Sequence, residues 1–272
     1  MTDAGTPDSA TPELSPIEIF SIGTELVIGR IQDTNSFWLS QQLTDLGQSV
    51  ARITVVGDDK ATIIRALRDA VDRGSKSVIT TGGLGPTPDD LTVECVAELA
   101  GVGTVMDRPT VLDYLHRRQI KEEELTPALK AMATVPIGSE VHPSPAGWAP
   151  LIHTRVGGTS IWNMPGPPTE VQGVFARYLA DHFGAGTAGR RAVKRVYVDM
   201  WESEVSPMLQ QVMDAVPGTY CKGYIALGNQ RYLPIDVVVR GESEEDAHHA
   251  LDRAVDMLAE LVTAAGREFQ RS

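Results

Sequence analysis

The sequence predicts an α/β protein: a mostly parallel β-sheet with helices on both faces, followed by a smaller α+β domain. Strand and helix patterns alternate βαβαβ through the first third of the chain, with short connections between them. After a Gly-rich break the order changes to βαββα. A chain of 272 residues is long enough for one ordinary domain and a small one.

Residues 1–16, MTDAGTPDSATPELSP, carry three prolines, no Lys or Arg and no apolar segment, so they read as a disordered tail and not as a signal peptide. Ile17–Ile22 (IEIFSI) is the first strand. Asn35–Leu46 places Leu39, Leu43 and Leu46 on one helical face and stops at Gly47. Val50–Val56 is the second strand, and Lys60–Arg73 aligns Ile63, Ile64, Leu67, Ala70 and Val71 in one stripe. Ser77–Thr81 is the third strand, and Leu91–Ala100 a helix stopped by Gly101. Arg108–Arg118 and Thr126–Ala133 read as helices, Thr159–Met164 as a late strand, and Pro168–Phe183 as the closing helix. These fix a first domain over 17–184, bounded by the break GAGTAGRR at 184–191. The second domain, 192–266, runs through strand Val193–Asp199, helix Glu202–Val216, and strands Tyr220–Leu227 and Tyr232–Arg240. Its last helix, Glu242–Ala265, has Ser243 and Asp246 at capping-box spacing and buries Leu251, Val255, Leu258 and Val262.

No apolar run reaches the roughly 18 residues of a membrane span, so a cytoplasmic address without membrane attachment is expected. A net charge of −12 argues against a general nucleic-acid binder, because phosphate backbones are bound by clustered Lys and Arg. An anionic small molecule would need backbone N–H groups, local cations or a divalent metal to offset that field. Cys95 and Cys221 match no metal or redox spacing and read as buried thiols.

In a parallel sheet, ligands bind beyond the carboxyl ends of the strands. Four unusual loops follow strands directly: Gly23-Thr24-Glu25, Gly57-Asp58-Asp59, Gly82 to Asp90, and Pro165-Gly166-Pro167-Pro168. Parallel strands would bring all four to one rim. In the third loop, Gly82, Gly83 and Gly85 permit positive φ and present N–H groups to a phosphate or carboxylate, ahead of a helix N-terminus near Asp89 to Thr92. It lacks the Lys of a Walker loop, and no G-x-G-x-x-G follows the first strand. One of Asp89 and Asp90 is expected to cap the helix. One of Asp58 and Asp59 is expected to cap the next helix while the other faces the rim, with Glu25 adding a further carboxylate. Acids around an anion loop make sense if a divalent metal, Mg, Mn or Co, bridges Asp58, Asp90 and Glu25 to phosphate oxygens. His142, His153, His248 and His249 lack ligand spacing, no G-x-S-x-G occurs, and the tryptophans read as packing residues except Trp148, which sits in a loop.

The motifs SIGTELVIGRIQDTNS (21–36), TVVGDD (54–59), TTGGLGPTPDDLT (80–92), KAMATVPIGSEV (130–141) and MPGPPTEV (164–171) together resemble the N-terminal domain of the CinA (competence-damage-inducible) family, within the MoaB/Mog-type molybdopterin-binding fold. The resemblance implies a three-layer α/β/α domain that binds a phosphorylated ligand and is similar to a metal-dependent ADP-ribose pyrophosphatase. It assigns metal or catalytic work to the equivalents of Asp58 and Asp90, and to Asp89 in the CinA branch. Its motifs carry ligand contacts at Gly23, Thr24, Glu25 and Asn35, at Thr81, Gly82, Gly83, Gly85, Pro86 and Thr87, and at Gly166, Pro167 and Pro168. Longer members add a nicotinamide mononucleotide deamidase domain, which is not expected in this chain, and related domains self-associate, which implies a homo-oligomer. Two departures stand out. The family commonly has Lys at Pro88, and its N-P-x-G-T-A-P-G segment reads SPAGWAPL at 144–151, which alters the expected nucleoside end of the pocket around Trp148. Three readings follow: a metal-dependent hydrolase of a nucleoside diphosphate linkage, with ADP-ribose the leading substrate; a molybdopterin-binding or molybdopterin-adenylylating protein; and a non-catalytic nucleotide-binding module.

Overall fold

The computed structural model describes residues 17–185, 191–228 and 231–271. The tail at 1–16 and most of the 184–191 break lie outside the described residues. The chain divides into two compact units between Phe183 and Gly184.

The first unit begins with β1 (Ile17–Ile22), the single turn α1 (Thr24–Val27), α2 (Thr34–Asp45), β2 (Val50–Val56), α3 (Lys60–Asp72) and β3 (Ser77–Thr81). Next come α4 (Thr92–Ala100), β4 (Thr104–Met106), α5 (Arg108–Arg118), α6 (Pro127–Met132), β5 (Thr134–Pro136) and β6 (Glu140–His142). It closes with β7 (Leu151–Val156), β8 (Thr159–Met164), α7 (Pro168–Val174) and α8 (Ala180–Gly184). The main sheet has the order β2-β1-β3-β8-β7-β6. Its first four strands are parallel, while β7 and β6 pair antiparallel. Ile22 is in register with Val56, and Thr81 with Met164, so the four parallel strands end at one level.

Strand alternation divides the core. Ile17 and Ile19 of β1 pack with Leu39 and Leu43 of α2 and with Val171, Val174 and Phe175, whereas Phe20 and Ile22 pack with Ile63 and Leu67 of α3 and with Val96. The result is helix, sheet, helix. Glu18, 3% exposed, is held by Arg73 (2.7 and 3.0 Å) and by the Ser75 hydroxyl (2.6 Å).

Several elements depart from the sequence reading. β7 is an added strand: Ile152, Thr154 and Val156 are buried and alternate with His153 and Arg155, but the inward Thr154 is polar, so the apolar alternation that marks a strand in sequence is broken. β4, β5 and β6 have three residues each, too short to show a period. The closing helix is interrupted by a wide π turn at Phe175–Leu179.

The second unit comprises β9 (Arg191–Val198), α9 (Glu202–Ala215), β10 (Thr219–Gly223), β11 (Leu233–Arg240), α10 (Glu244–Ala264) and β12 (Phe269–Arg271). Its sheet, β10-β11-β9-β12, is antiparallel throughout. Both helices pack on it around Val196, Val205, Ile235, Val237, Leu258 and Val262. Ser243 caps α10, accepting from the Asp246 N–H at 3.1 Å. The strand expected over Tyr220–Leu227 stops at Gly223, where a 3₁₀ turn begins two residues later, and β12 is an added edge strand. No helix among the described residues is long and apolar enough to cross a membrane.

Candidate functional site

The four loops beyond β1, β2, β3 and β8 line one cleft of about 560 Å³. Every residue the sequence singled out for catalysis, ligand or metal lies on its wall except Thr24. Thr24 instead fastens the first two loops. Its N–H donates to Asp58 Oδ2 (2.6 Å), and its hydroxyl accepts from the Asp58 N–H (3.1 Å). Asn35 Nδ2 donates to the Gly166 carbonyl (2.7 Å), tying the start of α2 to the fourth loop.

The Gly-rich loop is locked by contacts only glycine tolerates. Gly82 has φ +96°, and a Cβ there would lie 2.2 Å from the Ile22 carbonyl oxygen. Gly83 has φ +68°, and its Cβ would lie 2.1 Å from Thr92 Oγ1. Thr92, fully buried, donates its hydroxyl to the Gly82 carbonyl (2.9 Å) and its N–H to the Gly83 carbonyl (3.1 Å). The N–H of Gly82 is itself spent on the Met164 carbonyl (3.2 Å) and is not available to a ligand, contrary to the sequence expectation. Among the described residues, the N–H groups of Gly83, Leu84 and Gly85 meet no protein acceptor. Leu84, apolar and unremarkable in sequence, supplies the third donor.

The paired acids divide their work. Asp59 caps α3 through the N–H and hydroxyl of Thr62 (2.8 and 2.6 Å), and Asp58 is the rim residue. Neither Asp89 nor Asp90 caps α4, whose N-cap is Leu91 without a side-chain bond. Asp90 turns back to Thr87, its Oδ2 accepting from the Thr87 N–H (2.8 Å) and hydroxyl, and hydrogen bonding at Thr87 and to its own backbone N–H holds the Asp89 carboxyl below its ordinary range. Closing the 87–90 turn outcompetes the cap because Thr87 offers two donors at once. The Glu25 carboxylate folds back on Gly23, where a Cβ would lie 2.5 Å from Oε1.

Glu25, Asp33, Asp58, Asp89, Asp90 and Glu170 line the cleft, and among its described residues there is no Lys, Arg or His. No three His, Cys, Asp or Glu groups among the described residues stand close enough to hold a metal between them. Asp58, Asp90 and Glu25 therefore do not form the three-ligand cage expected of them. The donor set still suits a hard cation of the Mg²⁺ kind, which takes one or two carboxylates and completes its shell with water and ligand oxygens.

Sequence reasoning missed Asp33, Gln32 and Ile31 ahead of α2, Met132 of α6, and Glu170 of α7. Asp33 was recoverable as a helix cap, since it accepts from the Ser36 N–H (3.0 Å). Trp148 does not face the cleft. It packs edge-on against Tyr114 (5.6 Å), with Arg117 and Arg118 over its ring at 4.4 and 4.2 Å, and of the 144–151 segment only Ala149 lines the wall. Glu170 is half-buried. Burial pushes its carboxyl up, against a backbone hydrogen bond from Trp148 and the Arg117 charge. His142 and His153 both face Glu140 (3.2 and 3.5 Å) and lie outside the cleft, and burial pushes both cysteine thiols up to about 11.

Fold and site define a three-layer α/β domain with a Gly-rich loop and an acidic rim beyond its parallel strands. A family described as "Probable molybdopterin binding domain" matches residues 18–183. A protein of Pyrobaculum aerophilum is 34% identical over 249 residues, covering 90% of this chain and 93% of the relative. A CinA-like protein of Myxococcus xanthus is 43% identical over 160 residues, covering 58% of this chain and 38% of the relative. The solved structure of the protein CinA from Thermoplasma acidophilum, described as of unknown function, aligns with TM-score 0.57 and 32% identity, covering 61% of this chain and 97% of that one. The chain belongs to the molybdopterin-binding-domain family, in its CinA-like branch. It spans between 38 and 55% of the length of the CinA-like relatives from Myxococcus, Anaeromyxobacter and Frankia.

Proposed function

We propose that the cleft binds a phosphorylated ligand together with a hard divalent cation, and that it hydrolyses a nucleoside diphosphate linkage, with ADP-ribose the first substrate to test. The observation that carries this is the pairing of three unpaired loop N–H groups, Gly83, Leu84 and Gly85, with six carboxylates and no basic side chain on one wall. The N–H groups orient a diphosphate without moving, because Thr92 fixes the loop from behind. Asp58 Oδ2 is engaged by Thr24 and Asp90 Oδ2 by Thr87, which leaves Oδ1 of each for the cation or for a water. Asp89, ionised and exposed, stands beside them. When bound, the cation would neutralise phosphate charge and favour attack by water.

The test is to incubate the protein with ADP-ribose and Mg²⁺, Mn²⁺ or Co²⁺ and measure AMP, beside the Asp90→Ala variant. AMP from wild type and none from the variant supports hydrolysis; no AMP with any metal from folded protein rejects it. The family's description favours a second reading, in which the same donors hold the phosphate of a molybdopterin. Tight molybdopterin binding without ADP-ribose turnover would establish that reading instead.

A further inference from the structure

We propose that Glu170 is a specificity-determining residue that contacts the ligand: its carboxylate accepts hydrogen bonds from two adjacent donors on the non-phosphate part of the molecule. This rests on the reading of the cleft as a phosphorylated-ligand site. Glu170 lines the same cleft as the Gly83–Gly85 donors but belongs to α7. A Glu at the third position of a helix commonly reaches back to the N-cap N–H. Here the N-cap is Pro167, which has no N–H, and no side-chain cap bond forms. The carboxylate lies instead against Gly147, where a Cβ would sit 1.8 Å from Glu170 Cδ, so that loop position has room only for glycine.

Its partners do not satisfy it. The backbone N–H of Trp148 supplies one hydrogen bond. Arg117, whose charge acts on it, is committed elsewhere: it pairs with Asp113 (2.6 Å), donates to the Gly147 carbonyl and stacks on Trp148. A carboxylate has about four acceptor sites, so one N–H leaves most of this one's capacity unused, in a side chain that lines the cleft. A carboxylate repels phosphate and can only accept from a ligand. The group that meets it must therefore offer donors, as a ribose cis-diol does, or the N–H and amino group of an aminopyrimidinone ring.

The test uses ligand-observed NMR and calorimetry on the full chain with four probes: adenosine, 2′-deoxyadenosine, unsubstituted pterin and inorganic pyrophosphate with Mg²⁺. Glu170→Gln keeps an acceptor for the Trp148 N–H but loses the charge and one acceptor oxygen. The expected result is a loss of about tenfold or more for adenosine or for pterin, with pyrophosphate unchanged. Loss for adenosine and weak binding of 2′-deoxyadenosine to wild type identify the diol; loss for pterin identifies the ring edge. Equal losses for all probes, or none, assign Glu170 to holding the 144–149 loop and overturn the proposal. Wild type that binds neither adenosine nor pterin also overturns it, whereas failure to bind pyrophosphate alone overturns the phosphate reading of the Gly-rich loop.

Discussion

Replacing Gly83 with alanine should cost a large part of the first unit's stability, and removing Thr92 Oγ1 in that background should cost little more. Alanine at φ +68° is strained by about 1–2 kcal/mol relative to glycine. Its Cβ would lie 2.1 Å from Thr92 Oγ1, which belongs to a buried β-branched side chain with no free rotamer to retreat into. Relieving the contact breaks the Thr92 hydroxyl bond to the Gly82 carbonyl, a buried bond whose loss costs about 1–3 kcal/mol. The two effects together come to about 2–5 kcal/mol, against a typical total of roughly 5–15 kcal/mol. Thr92→Ala carries the hydrogen-bond loss alone. In that background Gly83→Ala meets only the Cβ at 3.1 Å and the backbone nitrogen at 3.3 Å, so the double variant should be more stable than additivity requires by about 1–3 kcal/mol, the hydrogen-bond loss counted twice. Urea unfolding followed by tryptophan fluorescence reads this out, because Trp38, Trp148 and Trp162 lie in the first unit and only Trp201 outside it. A Gly83→Ala protein within about 0.5 kcal/mol of wild type would refute the reasoning, as would an identical cost in both backgrounds.

Other substitutions separate structural acids from site acids. Asp59→Ala should lower stability by about 1 kcal/mol by uncapping α3 and leave ligand binding intact, while Asp58→Asn should weaken binding; equal binding losses in a titration would contradict this division. Glu18→Gln should cost about 2 kcal/mol, seen as a lower urea midpoint. Burial raises the Glu18 carboxyl, but hydrogen bonds and charge from Arg73, with Ser75 and Arg52, outweigh it and hold the group below its ordinary 4.5. The unfolded chain therefore takes up the proton first, so this stabilisation is present above pH 4.5 and lost as pH falls below it, a dependence the variant should lack. His153 is pushed below its ordinary 6.5 mainly by burial against Trp162, so the unfolded state protonates first and stability should fall as pH drops below 6.5; His153→Phe should flatten that slope in thermal melts at pH 5 to 7.

The parallel half of the sheet was legible because β1, β2, β3 and β8 are apolar or β-branched runs of five to seven residues, each followed by Gly or Pro. Knowing that they were parallel was enough to gather four distant loops on one rim. What stayed hidden depended on contacts across the fold. That Gly82 spends its N–H on Met164 follows only from the register of β3 with β8. That Asp90 turns to Thr87 and α4 is left uncapped depends on local turn geometry, which Asp-Asp before a helix does not specify. In sequence Trp148 is a loop residue beside the expected ligand pocket, because its partners, Tyr114, Arg117 and Arg118, come from α5, some 30 residues upstream.

The acidic wall makes a claim about salt that differs in sign from most phosphate sites. At an effective dielectric of about 20, two like charges roughly 6 Å apart repel by about 3 kcal/mol. Each N–H bond to an anionic oxygen returns about 1.5–3 kcal/mol. Three such donors are therefore nearly offset if two or three of the six cleft carboxylates lie that close to the phosphates. A dication between them reverses the balance. Pyrophosphate affinity should accordingly fall at least tenfold, about 1.4 kcal/mol, when Mg²⁺ is replaced by EDTA. In EDTA, added KCl should strengthen binding, because it screens a net repulsion, whereas sites built on Lys and Arg weaken with salt. Calorimetry across a KCl series with and without Mg²⁺ measures both signs. Equal affinity in the two conditions, or affinity that falls with KCl in EDTA, would mean that the carboxylates stand away from the bound phosphate and that the loop N–H groups hold it unaided.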